Sequence, residues 1–104
     1  MSWLAERESR PIAHRIHICD QCLQPIATGE KYYRCAGLFD SKPLIYKAHL
    51  DCADCADEIH QIYGGDAEEG ISLIDDVRIE PDWQPFVAEK YPAVATRIWP
   101  SGAP

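Results

Sequence analysis

Two cysteines three positions apart, Cys19 and Cys22, are answered thirty residues after the first by a second group, His49, Cys52 and Cys55, spaced His-x-x-Cys-x-x-Cys. Thiolate and imidazole donors supplied as close pairs on either side of a longer excursion are the pattern of a tetrahedral Zn²⁺ site. Each pair grips two corners of the tetrahedron, and the metal ties distant segments together. In a chain of 104 residues no other feature limits the fold as strongly. A domain this small buries a limited share of its surface. A structural zinc contributes on the order of 10 kcal/mol, comparable to the whole stability of such a domain. The expectation is a metal-free chain largely unfolded around the cluster.

The length predicts one domain over residues 1–104. Five cysteines are an odd number that suits a disulfide framework poorly, and the opening Met1-Ser2-Trp3-Leu4-Ala5-Glu6 lacks the basic start and apolar stretch of a secretory leader. No apolar run approaches the roughly 20 residues of a membrane span. These features predict a cytoplasmic protein with reduced thiols and no membrane association.

Residues 1–11 are polar and end in Pro11, which suggests a short helix or a loose arm. Ile12, His14, Ile16 and Ile18 alternate with Ala13, Arg15 and His17, a period of two that predicts a strand leading to the first cysteine pair. Pro25 and Gly29 are turn signals, and the aromatic run Lys31–Cys35 reads as a strand. Gly37–Pro43 reads as a loop and Leu44–Lys47 as a second strand, the two forming a hairpin. Asp51–Tyr63 has helical periodicity, with Cys52, Cys55, Ala56, Ile59, Ile62 and Tyr63 inward and Asp54, Asp57, Glu58 and Gln61 outward. Gly64-Gly65 stops that helix. After an acidic loop, Ile71–Ile74 reads as an added strand, and Asp82 is placed to cap a short helix through Tyr91 with Pro85 in its first turn. The division is an arm over 1–11, a zinc core over 12–65, and an acidic loop with a C-terminal extension over 66–104.

A cysteine pair, a hairpin, and His49-x-x-Cys52 at a helix start resemble the treble-clef zinc fold over residues 16–63. Tyr46-Lys47-Ala48-His49-Leu50-Asp51-Cys52 is similar to the aromatic-His-x-x-Cys signature that ends the first zinc module of LIM domains and the fingers of poly(ADP-ribose) polymerase. Cys19-Asp20-Gln21-Cys22 with Ile26, Gly29-Glu30 and Tyr32-Tyr33-Arg34 also looks like small treble-clef proteins of phages and prophages. Those families place glycine directly after the second cysteine. Here Leu23 stands there, so the knuckle turn lacks the residue that adopts left-handed angles at no steric cost. The resemblance implies an α+β fold: a zinc knuckle, a β-hairpin and a helix, extended at the C-terminus by a strand and a short helix.

The resemblance also selects Cys19, Cys22, His49 and Cys52 as ligands. The rival set replaces His49 by Cys55 and leaves the imidazole as a donor to a sulfur. Cys35, within the aromatic strand, reads as a buried thiol. A catalytic zinc keeps a position open for water, whereas the donors here fill all four, so the expectation is a protein that is not an enzyme. An HNH-type nuclease is the nearest enzyme alternative, but His49 is consumed by zinc and His60 reads as a solvated helix residue. His14 and His17 fall on opposite strand faces, which strand packing or exposure explains. A redox role for Cys-x-x-Cys lacks the accompanying βαβ pattern.

The formal charge of −7 is unevenly spread. Eleven acids lie between Asp51 and Asp82 against the single base Arg78, whereas residues 1–50 hold seven Lys and Arg against five acids. The acidic block repels phosphate backbones, which argues against nucleic acid as a partner there. It suits a protein partner with a basic surface, for which Trp83, Phe86, Tyr91 and Trp99 offer anchors if they are not simply core. The expected function is therefore a non-enzymatic, zinc-stabilised protein-interaction module. The phage-like resemblance sharpens this to a small acidic inhibitor in the host cytoplasm that mimics DNA on a host complex. The alternative is a nucleic-acid-binding zinc finger using Arg7, Arg10, Arg15, Lys31, Arg34, Lys42 and Lys47, with Tyr32 and Tyr33 as stacking groups. A homo-oligomer is open.

Overall fold

The computed structural model describes residues 3–39, 41–62 and 71–100. It is a small α+β arrangement of antiparallel strands and helices. Three strands, β1 (Trp3–Ser9), β4 (Tyr32–Phe39) and β5 (Lys42–His49), form one sheet in the order β1-β4-β5, and β2 (His17–Ile18) pairs with β3 (Pro25–Ile26) in a second. Helix α1 (Leu50–Ile62) follows β5 without an intervening residue, and two short helices, α2 (Gln84–Lys90) and α3 (Pro92–Ile98), close the chain.

The expected hairpin forms and is longer than its apolar pattern suggested. Pairing runs from Tyr32↔His49 to Phe39↔Lys42, so within the expected Gly37–Pro43 loop residues 37–39 and 42–43 are strand. Pro43 is tolerated because β5 is an edge strand and its missing N–H costs no ladder bond on the open side. The N-terminal arm is neither helical nor loose. Its backbone pairs with the outer edge of β4, Ser9 opposite Arg34 and Ala5 opposite Gly37, with an irregularity between Ala5 and Arg7. An exposed row of unpaired β4 donors and acceptors captures a polar segment that has no apolar periodicity of its own.

The strand expected over 12–18 shrinks to His17–Ile18, with a lone bridge from Ile12 to Lys31. Its alternation is inverted: Ala13 is buried, whereas Ile12, Ile16 and Ile18 are exposed. Ile71–Ile74 is likewise not a strand. Leu73–Val77 winds as one π-helical turn that sends Leu73 and Val77, four apart, into the core. The Ser72 hydroxyl accepts from Asp75 N at 3.1 Å, and Asp76 Oδ2 accepts from Ser72 N at 2.9 Å. Asp82 caps no helix; it lies in a 3-10 turn, Pro81–Trp83, that leads directly into α2, where Pro85 occupies the first turn as expected.

The core gathers Ile26, Tyr32, Ala48, Ile59, Leu73, Val77, Val87, Val94, Ile98 and Trp99 around four of the cysteines. Ile62, expected inward on α1, is exposed. Trp99 is buried and donates its indole N–H to Arg78 O at 3.1 Å, while Trp83, Phe86 and Tyr91 pack half-buried against the same core. The acidic loop expected over residues 64–70, with Asp66, Glu68 and Glu69, and the helix end at Tyr63 lie outside the described residues.

Candidate metal centre

Cys19 and Cys22 sit in the turn between β2 and β3. Leu23 N donates to Cys19 O at 2.9 Å, and Cys19 N donates to Gln24 O at 3.0 Å, closing a tight knuckle. Leu23 takes the left-handed conformation, φ 62°, that glycine would take freely, with its side chain 56 % exposed. The cost of that conformation for an L-residue is roughly 1–2 kcal/mol, which the knuckle's hydrogen bonds and any bound metal offset.

His49 is the last residue of β5 and Cys52 lies in the first turn of α1, so the strand-to-helix joint presents both to the knuckle. One donor atom from each of Cys19, Cys22, His49 and Cys52 lies within 4.8 Å of all the others, and all four residues are buried. His49 Nδ1 stands 3.4 Å from Cys22 Sγ and 3.7 Å from Cys52 Sγ. The edge of a tetrahedron built from Zn–S and Zn–N bonds of ordinary length is about 3.6 Å. The cluster could thus hold a metal ion, and three sulfurs with one imidazole are a donor set that suits Zn²⁺.

The surroundings orient these donors. His49 Nε2 lies 3.0 Å from Pro25 O, a group that only accepts, so Nε2 carries a proton and Nδ1 is the nitrogen turned towards the sulfurs. Gln21 N and His49 N both donate to Cys19 Sγ at 3.4 Å. Arg97 Nη1 donates to Cys52 Sγ at 3.4 Å and to Asp51 Oδ1 at 2.6 Å, bringing α3 onto the cluster. Such donors stabilise thiolate charge.

Without a metal the cluster shares protons. Hydrogen bonds with Cys22, then Cys52, hold the Cys19 thiol well below its ordinary value. Hydrogen bonding to Cys19, then Cys22, pushes Cys52 up, and the same two thiols raise His49 to about 10. A divalent cation would displace these protons.

Cys55 is not part of the group. It is fully buried on the core side of α1, and burial, aided by the nearby charges of Glu58 and Asp51, pushes its thiol up to about 12. Cys35 is buried in β4, also as a free thiol. His14 is exposed; His17 is half-buried, its ring tilted at 40° against Tyr32 with centroids 5.2 Å apart, and in contact with Lys47 Nζ at 3.2 Å. His60 lies half-buried along α1.

Three supporting residues escape sequence reasoning. Gln21, between the knuckle cysteines, donates Nε2–H to Ile71 O at 2.9 Å and accepts from Leu73 N at 2.7 Å, clasping the C-terminal segment to the metal turn. Asp20 Oδ2 accepts from Lys47 N at 2.9 Å while Asp20 N donates to Lys47 O at 2.7 Å, covering part of the β5 edge. Arg97 is the third. None carries a local signal, because each partner is at least 27 residues away in sequence.

Many acids of the Asp51–Asp82 block have partners inside the fold. Glu58 accepts from Lys90 Nζ at 2.5 Å and from the Tyr91 hydroxyl at 2.7 Å, which holds its carboxyl below the usual range. Asp51 accepts from Arg97, Asp57 from Gln61, Asp75 from the Ser72 hydroxyl at 3.4 Å and Asp76 from Ser72 N. Asp54, Glu80 and Asp82 are exposed. No helix among the described residues is long and apolar enough to cross a membrane. Comparison with protein-family models, with curated proteins and with solved structures finds no match for this chain.

Proposed function

We propose that this protein is a zinc-stapled interaction module of treble-clef type, in which the metal holds the fold together and performs no catalysis. The observation that carries this reading is the closed donor set: four buried ligand atoms within 4.8 Å of one another. Bound there, Zn²⁺ would supply a tetrahedral crosslink between the knuckle and the β5–α1 joint.

The docking face we favour is the remaining acidic surface. Glu80 and Asp82 are exposed and alternate with Ile79 and Pro81, with Ile79 67 % exposed. An apolar anchor with a carboxylate rim suits a protein whose own surface is basic, and in the narrowest form of this reading that surface is the nucleic-acid groove of a larger complex. The test is affinity capture from native-host extract with the zinc-loaded protein, beside an Ile79→Ala/Glu80→Lys/Asp82→Lys variant. We expect capture of a basic protein that weakens as salt rises and is lost with the variant. Capture indifferent to both salt and charge reversal, or no capture at all, would exclude this face.

A further inference from the structure

The segment joining β1 to β2, together with facing residues of β1 and β4, frames an open depression of about 480 Å³. That volume lies within the roughly 300–1,000 Å³ range of small-ligand sites. Its polar lining is Ser9, His14, Arg15, His17, Tyr32 and Arg34. No carboxylate is among its lining residues, although acids outnumber Lys and Arg by seventeen to ten in the whole chain. Neither arginine is used in an ion pair: those among the described residues are Glu58–Lys90 and Asp51–Arg97.

The frame is built by backbone bonds, so its geometry does not rest on loose side chains alone. Tyr32 N donates to Pro11 O at 3.0 Å, Ala13 N to Glu30 O at 2.9 Å, and Gly29 N to Ala13 O at 2.8 Å. Ser9 and Arg34 are register partners across β1 and β4, and Tyr32 and Arg34, two apart on β4, share a sheet face. Tyr32 is 5 % exposed and packs against the His17 ring. Lys47 Nζ donates to His17 Nδ1 at 3.2 Å, so the ring proton sits on Nε2 and is free to donate.

Hydroxyl, imidazole and two guanidinium groups around one concavity are donors without competing acceptors of negative charge. Guanidinium forks match a phosphate's oxygens two at a time. We propose that this depression is a binding site for a small phosphate-bearing molecule, with Arg15 and Arg34 on the phosphate. The cavity is larger than a phosphate needs, which leaves room for an attached organic group. A long polyanion is disfavoured because the acidic block would repel its remainder. This site is independent of the acidic docking face, and its failure would leave that reading intact.

The zinc-loaded protein is titrated with inorganic phosphate and with adenosine monophosphate at low ionic strength, followed by two-dimensional amide NMR. Saturable shifts centred on Arg15, His17, Tyr32 and Arg34 are expected, with the nucleotide tighter. Arg34→Gln and, on the connecting segment, Arg15→Gln should each weaken binding about tenfold, whereas Lys42→Gln at the hairpin end should change it by less than about twofold. Unchanged zinc content and spectra elsewhere verify that the variants fold. Shifts that never saturate, or equal losses from Lys42→Gln and Arg34→Gln, would reduce the depression to diffuse surface charge. A single-stranded decanucleotide that binds tighter than the nucleotide and shifts Lys31 and Lys42 would overturn the small-ligand assignment in favour of strand binding.

Discussion

Arg97 on the last helix and Cys52 in the first turn of α1 meet through one N–H···S contact of 3.4 Å, and the same nitrogen holds Asp51 at 2.6 Å. The C-terminal extension is therefore anchored to the Cys19–Cys22–His49–Cys52 cluster by a charged group as well as by core packing. Arg97→Ala should lower stability by about 1–3 kcal/mol, since it removes a charge-assisted bond and leaves Asp51 with no ion-pair partner. It should also speed zinc loss to a chelator, read with a colorimetric indicator, and Arg97→Lys should recover only part of either effect. Equal zinc-loss rates in wild type and Arg97→Ala would separate α3 from the cluster.

Metal content distinguishes the two cysteines of α1. Cys52→Ser should abolish stoichiometric zinc, and chelation of the wild type should unfold the hairpin–helix junction as seen by circular dichroism. Cys55→Ala should keep one zinc per chain and lose about 1–2 kcal/mol through a small core cavity. A zinc-free Cys55→Ala protein would reinstate the thiol as a ligand.

Cys55 also predicts an alkaline limb. Its folded value, about 12, is raised above the ordinary thiol value near 8.5, so the fold favours the neutral form. The contribution is complete below the unfolded value and is lost as pH climbs from there towards the folded one. Chemical denaturation between pH 8 and about 11 should show stability falling less steeply in Cys55→Ala than in wild type. In the native zinc-loaded protein at pH 8, iodoacetamide should leave Cys55 unmodified by mass spectrometry.

Gln21→Ala removes both ends of the clasp on residues 71 and 73, leaving the buried Leu73 N–H without its acceptor. A loss of about 1–3 kcal/mol is expected with zinc stoichiometry unchanged. Hydrogen exchange should accelerate over Leu73–Val77 and not in the knuckle. Uniform acceleration would mean that the clasp supports the whole core.

Leu23→Gly tests the knuckle. The side chain is more than half exposed, so little burial is lost, while the left-handed backbone angle becomes strain-free. Stability of the zinc-loaded protein should rise by up to about 1 kcal/mol in thermal melts, the gain being trimmed by glycine's greater unfolded-state freedom. A fall would mean that Leu23 makes a contact worth more than its strain.

The hairpin, α1 and the convergence of Cys19, Cys22, His49 and Cys52 were legible because each rests on short-range signals: ligand spacing, an aromatic run, and a helical stripe. Readings failed where a segment's conformation is set by what it packs against. The arm of residues 3–9 became a strand because β4 offered an unpaired edge. Leu73 became the start of a helical turn because Leu73 and Val77 both had to reach the core and Gln21 holds Ile71 O and Leu73 N at its entry. The alternating isoleucines before Cys19 pointed outward because Ala13 fills the inward position.

Donor types and their spacing along the chain determined the metal cluster, because a tetrahedral site needs two close pairs and spacing within a pair is a local property. Which charges remain available at the surface was decided only in three dimensions. Asp51 and Glu58 belong to an acidic run in sequence, yet each is met by a cation and, for Glu58, a hydroxyl from the C-terminal helices. Arg15 and Arg34, nineteen residues apart in the chain, are brought to one depression by strand register and three backbone bonds. Electrostatic neighbours are set by distance through space, and distance through space is what the fold supplies.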